Sequence, residues 1–254
     1  MEKLQTVLDA LNALLEPWRF KDYCPNGLQV EGKNEIRKIV TGVTACQALI
    51  DKALEESADM ILVHHGYFWK GEDACIVGTK KKRLASLINN DISLVAYHLP
   101  LDAHPELGNN ARLATLLGFN IKQALVSGEE PAIGFIGELE EPCSTKELAQ
   151  RIETVLQRKP TLISGHDRDE KIRRIGWCSG AAQTYIDQAV LQGMDAYLSG
   201  EISEHTVHAA RENGIHYFAA GHHATERYGV QAVGQYLADK FAVEHQFIEI
   251  DNPV

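Results

Sequence analysis

Three stretches of the sequence bring imidazoles and carboxylates together: His64-His65-Gly66, His98-Leu99-Pro100-Leu101-Asp102-Ala103-His104 and Gly221-His222-His223-Ala224-Thr225-Glu226. Neutral imidazoles and carboxylates are the natural ligands of zinc, manganese, iron and nickel ions. Each stretch follows a short apolar run, Met60 to Val63, Ser93 to Tyr97 and Tyr217 to Ala220. Such runs read as buried strands, and ligands in parallel α/β sheets are held at the carboxyl ends of strands. Neighbours on a regular strand point to opposite faces, so His64 and His65 serve one site only if the strand ends there or each takes its own ion. Burial against a backbone carbonyl is the alternative for either ring. Gly66 lets the backbone turn sharply after them. Pro100 biases Leu99 toward extended backbone and so presents Asp102 beyond the sheet, although an Asx-turn or a helix cap would also use that side chain. If a helix begins after Gly221, His222 and Glu226 stand four residues apart on one face. They could then share an ion or form an ordinary His–Glu pair.

Gly200-Glu201-Ile202-Ser203-Glu204-His205-Thr206-Val207-His208 is a fourth cluster. Its order is Glu-His-x-x-His, so the two histidines lack the four-residue spacing of a zinc-protease helix. His205 and His208 either face a pocket or decorate a helix. The sequence shows no phosphate-binding Walker loop, no dinucleotide-binding glycine pattern and no nucleophile elbow.

The elements that must position these residues alternate between strand and helix. Leu4, Val7, Leu8, Leu11, Leu14 and Leu15 recur at helical spacing and Pro17 ends that helix. Ile36 to Val43 reads as a strand, Cys46 to Glu56 as a helix, and about Lys80 to Asn89 as another. Residues 36–65 align without gaps on residues 172–201, an offset of 136, with ten identities that include Gln47/Gln183, Asp51/Asp187 and Asp59/Asp195. That repeat places Glu201 opposite His65, at the end of an equivalent strand, and makes Glu201 a candidate base or supporting group. The alternation and the repeat predict an α/β protein of two related lobes, with mostly parallel sheets flanked by helices and a metal site in the cleft between lobes. The expected lobes are 1–127, carrying His64, His65 and Asp102, and 128–254, whose C-terminal part returns His222 and Glu226 to the site. The join lies near Gly128-Glu129-Glu130-Pro131. The second lobe opens with a strand from Ala132 to Leu139 and a helix from Thr145 to Leu156 with Ser144 as its N-cap. Gly165 to Lys171 is polar and reads as an exposed turn, and His166 has no role in this scheme.

The chain has 254 residues, a formal net charge of −10 and eleven histidines, more than its seven phenylalanines or eight tyrosines. The acidic balance disfavours broad charge-driven binding to nucleic acid or anionic lipid. Five cysteines, at 24, 46, 75, 143 and 178, are scattered and never form a C-x-x-C pair. This suits a reducing, cytoplasmic setting better than a disulfide framework. No apolar run approaches a membrane span, and the acidic N-terminus does not read as a signal peptide.

Pro25-Asn26-Gly27-Leu28-Gln29-Val30-Glu31-Gly32, together with the His64, His98 and Gly221 stretches, closely resembles the NIF-three-like family, also called the GTP cyclohydrolase I type 2 homologue family. The resemblance covers nearly the whole chain, without the long central insertion of some relatives. It implies a dinuclear metal centre, two divalent ions per chain, in an α/β fold assembled as a toroidal homohexamer. The ligands it implies are His64, His65, Asp102, His222 and Glu226, with Glu226 bridging, and His98, His104 and His223 are possible neighbours. Three imidazoles and two carboxylates are too many groups for one open tetrahedral site, but shared between two ions they leave positions for water. Hydrolysis of a phosphoester, an amide or a C–N bond in a small anionic or nucleotide-like substrate follows as the leading expectation. A ring-shaped scaffold for nucleic acid or protein, with structural or regulatory metals, is the alternative.

Overall fold

The offset of 136 residues read from the sequence is carried into three dimensions. In the computed structural model, which describes residues 1–167 and 170–254, strand Lys38–Thr44, helix Gln47–Glu55 and strand Met60–His65 form one βαβ unit. Strand Ile172–Cys178, the short helices Gln183–Tyr185 and Ile186–Leu191, and strand Ala196–Ser199 form the other. The strands of each unit pair in parallel, with Ile39 opposite Met60 in one and Ile175 opposite Ala196 in the other, so the register repeats too. Asp59 accepts backbone N–H bonds from Arg37 and Lys38 at 2.8 and 3.2 Å. Asp195 accepts the corresponding bonds from Arg173 and Arg174 at 2.9 and 2.8 Å. One physical job, satisfying the amides where the first strand enters the sheet, explains that identity in the repeat.

The chain divides into two compact units, Met1–Leu101 with Gly229–Asp251 and Asp102–Tyr228 with Asn252–Val254. The join expected at residues 127 and 128 lies instead inside the second unit, in the loop between strands Phe119–Ala124 and Phe135–Cys143. Those strands pair with each other, and the second pairs with Ile172–Cys178, which binds the whole segment to the second sheet. The C-terminal part divides for the same reason. Strand Glu244–Phe247 pairs in parallel with Lys38–Thr44 and so belongs to the first unit.

The first unit holds a five-stranded sheet in the order Glu244–Phe247, Lys38–Thr44, Met60–His65, Ser93–Ala96 and Gly27–Val30, the last strand antiparallel. Helix Leu4–Leu15 buries Leu4, Val7, Leu8, Leu11 and Leu15, the stripe its spacing predicts. The second unit holds a six-stranded sheet whose middle strands, Ile172–Cys178, Ala196–Ser199 and His216–Ala219, are parallel. Its helix Thr145–Leu156 begins with a capping box, Ser144 accepting from the Glu147 amide while Glu147 accepts from the Ser144 amide. Leu148, Ile152 and Leu156 of that helix pack with the fully buried Trp177. The strand expected over Ala132 to Leu139 runs from Phe135 to Cys143. Of the predicted turn at Gly165 to Lys171, Arg168 and Asp169 lie outside the described residues. All five cysteines are free thiols, and among the described residues no helix is long and apolar enough to cross a membrane.

Candidate metal centre

In the first unit, strand Met60–His65 includes both His64 and His65 and ends there. The rings of His64 and His65 lie 4.5 Å apart, and the His98 ring is 5.1 Å from His64. Each of the three offers a ring nitrogen within 4.8 Å of the others. His64 is completely buried, with Nδ1 3.0 Å from the Tyr97 carbonyl. A carbonyl accepts only, so Nδ1 carries the proton and Nε2 keeps a lone pair for a ligand. The carbonyl-satisfied histidine and the ligand-ready histidine are the same residue. The His65 Nδ1 lies 3.2 Å from the Thr44 hydroxyl.

His98 is held by a residue that the motif spacing does not reveal. Its Nδ1 is 2.7 Å from Oδ1 of Asp22, which also accepts from the Asn26 side chain and from the Leu99 amide. Burial pushes the Asp22 carboxyl up, but hydrogen bonds from His98 and Asn26 outweigh it and hold the group below its ordinary value. Asn26 in turn accepts the His98 amide at 2.7 Å. Polar residues in a Pro- and Gly-containing stretch were the only signal available for these two. Cys24 offers its sulfur within 4.8 Å of Asp22 and His98, but burial and the Asp22 charge push the thiol up to about 12, so it stays protonated and binds metal poorly. Gly66 is needed for space, since a Cβ there would overlap the Gln29 side chain and sit 2.7 Å from the Ala96 Cβ. Its φ is not among the positive ones, so the sharp turn expected there is not what selects glycine. Gln29 uses the gap to accept from the Tyr67 amide and donate to the Tyr67 carbonyl.

In the second unit, Asp102 and Glu226 are both buried, 6% and 3% exposed, and offer carboxylate oxygens within 4.8 Å of each other. Asp102 accepts from the Asn109 amide group at 2.9 Å and from the Ser179 hydroxyl at 3.1 Å. A short helix, His222–Thr225, follows Gly221 and brings His222 Nε2 to 3.1 Å from Glu226 Oε2, the predicted four-residue pairing. The other ring nitrogen, Nδ1, lies 2.7 Å from Glu201 Oε1. Burial alone pushes the His222 imidazole down, but Glu226 and Glu201 together raise it to about 9. Gly180 and Gly200 make room for this group: a Cβ on Gly180 would overlap Glu226, and one on Gly200 would lie 2.7 Å from the His222 Cα.

A family model described as Duf34/NIF3 (NGG1p interacting factor 3) matches residues 2–253. The chain belongs to the Duf34/NIF3 family. A Pseudomonas aeruginosa protein named GTP cyclohydrolase 1 type 2 homolog is 57% identical over 250 residues, covering 98% of each chain. The Escherichia coli K12 protein of the same name is 51% identical and covered to 96% on both sides. Among solved structures, protein ybgI superposes with a TM-score of 0.94 at 49% identity, covering 99% of this chain and 100% of that one. The protein TTHA1606 from Thermus thermophilus gives 0.90 at 32%, with the same coverage.

In this Duf34/NIF3 chain the exit from strand Ser93–Ala96 departs from the extended path expected at Leu99. Residues Leu99–Ala103 form a helical turn, because Asp22 and Asn26 take the Leu99 and His98 amides and Pro100 is tolerated in a first turn. Asp102 is thus carried on a helix. His104 uses Nδ1 to accept from the Glu106 and Leu107 amides, which makes it part of a local turn. His223 is buried, its amide donating to the Val254 carbonyl. His205 is exposed, and His208 pairs with Glu204 at 3.0 Å on the surface of helix Glu204–Asn213.

Proposed function

We propose that the protein is a dinuclear metal-dependent hydrolase, with His64, His65, Asp102, His222 and Glu226 holding two divalent ions of the zinc, manganese, iron or nickel type. The observation that carries this reading is the Asp102–Glu226 pair. Two carboxylates buried this close repel each other and lose hydration, and cations offset both costs. The donor set fits the group: hard oxygens and imidazole nitrogens, with no ionised thiol among them. When bound, two divalent ions supply a water made nucleophilic at neutral pH and a Lewis acid for the electrophile. Around them Glu201 orients His222, Tyr97 sets the tautomer of His64, and Asn109 and Ser179 fix one Asp102 oxygen. Glu201 is also the candidate base.

The relatives' name points to a GTP-like substrate, a small anion or cyclic amide that a net positive centre attracts despite the acidic chain. The family resemblance further supports a toroidal homohexamer, and the free thiols support a cytoplasmic location. The metal-loaded protein should be screened against nucleotides, phosphoesters and cyclic amides. Metal-dependent turnover that Asp102→Ala abolishes is the expected result. No turnover, together with salt-sensitive strand binding that survives Asp102→Ala, would replace the enzyme with a nucleic-acid scaffold.

A further inference from the structure

The two repeats differ at one place where their backbones agree. In the first unit the Gly32 amide donates to the Ser93 hydroxyl at 3.0 Å, and the next residue, Lys33, sets its ammonium 3.2 Å from Oδ1 of Asp59. In the second unit the Gly165 amide donates to Nδ1 of His216 at 3.2 Å. Ser93 is registered opposite Met60 and His216 opposite Ala196, so Ser93 and His216 occupy equivalent positions, as do Asp59 and Asp195. The residue after Gly165 is His166, whose ring lies against His216 with centroids 4.5 Å apart and planes tilted by 59°. Oδ2 of Asp195 accepts two backbone amides, and among the described residues no side-chain cation sits on Oδ1 as Lys33 does on Asp59.

A cavity of about 240 Å³ borders Asp195 here, lined also by His166, Glu170, Lys171, Met194 and His216 among others. His216 is only 3% exposed. Because Nδ1 accepts from Gly165, Nε2 carries the proton, and no hydrogen-bond partner for Nε2 exists among the described residues. Burial, with His166 adding to it, keeps this imidazole below its ordinary value and therefore neutral at pH 7. The wall thus offers a carboxylate oxygen where the sister repeat binds an ammonium, and beside it an N–H donor. Lys171 and Glu170 offset each other on the same lining, so a ligand with two cationic ends is disfavoured by its lack of an acceptor for His216 Nε2–H.

We propose that this cavity binds a small primary ammonium compound that also carries a hydrogen-bond acceptor, the ammonium on Asp195 and the acceptor on His216 Nε2–H. An amino alcohol meets this description and a diamine does not. The site stands apart from the metal ligands and does not depend on the hydrolase reading.

The test is a titration of the full chain with ethanolamine, followed by the ring-proton NMR signals of His216 and His166. Saturable shifts are expected, with putrescine binding roughly tenfold more weakly because it lacks the acceptor. Asp195→Asn, which keeps an oxygen for the two amides, should weaken ethanolamine at least about tenfold by removing the charge. His166→Lys should do the same by placing an ammonium on Asp195, as Lys33 does on Asp59. If Asp195→Asn does not fold, His166→Lys decides. Absence of a saturable shift, equal binding of putrescine, or unchanged ethanolamine affinity in a folded variant would each overturn the proposal.

Discussion

Glu201 Oε1 lies 2.7 Å from Nδ1 of His222, and the opposite ring nitrogen faces Glu226 at 3.1 Å. A carboxylate behind a ligating imidazole fixes its tautomer and raises its basicity. Glu201→Gln should therefore weaken metal binding about 10–100-fold without removing a ligand. Competition against a chelator measures this, and an unchanged affinity would leave Glu201 without a positioning role.

Elemental analysis of the purified chain should find close to two divalent metals per chain. Glu226→Ala should lose at least one, since it removes one carboxylate of the buried Asp102–Glu226 pair. Full occupancy in that variant would contradict the ligand assignment.

Without metal, the imidazole of His222 is held at about 9 by Glu226 and Glu201 against the opposing effect of burial. A metal takes only the neutral ring, so binding at pH 7 should expel this proton. Apparent affinity should then rise about tenfold per pH unit toward pH 9 from this group alone. Calorimetry in buffers of different ionisation enthalpy counts the released protons. A count of zero would mean His222 stays outside the centre.

Asp59 and Asp195 each satisfy two backbone amides at the entry to a sheet. Truncation to Ala orphans both amides, so each variant should lose roughly 1–3 kcal/mol in urea unfolding. The Lys33 ion pair adds little to the Asp59 value, because the lysine is half exposed. Losses below a few tenths of a kcal/mol for both would show that water replaces the carboxylates.

His245 makes a hydrogen bond with the Thr41 hydroxyl at 2.9 Å and packs against Gly234. Burial lowers its imidazole from the ordinary 6.5. The unfolded chain therefore binds a proton here more readily than the native one. The stability this neutral ring contributes is present above pH 6.5 and is lost as pH falls through the lower native value. His245→Gln should flatten that part of the pH–stability curve, and an unaltered slope would assign the acid sensitivity elsewhere.

Period and composition were enough to read the strands that run into the His64, His98 and Gly221 stretches, to within a residue or two at their ends, the capping box at Ser144, the His222–Glu226 pair and the βαβ repeat. Each depends on contacts within a few residues or on a pattern the chain repeats. Asp22 and Asn26 stayed hidden because their partners, His98 and Leu99, lie more than 70 residues away. The same two residues convert the expected extended exit at Leu99 into a helical turn. The unit boundary also escaped a linear reading, since strand Glu244–Phe247 returns to pair with Lys38–Thr44 across the whole length of the second unit.

Residue type and short-range spacing thus suffice for the donor chemistry and for the repeated local scaffold. Which donors have their protons placed, and which are spent on turns or surfaces, depends on the folded chain. His64, His98 and His222 each have one ring nitrogen fixed by a partner at least 21 residues away in sequence, whereas His104 and His208 are used by residues no more than four positions away. The tautomer of a buried imidazole is set by whatever the fold brings against it, and no local spacing carries that information.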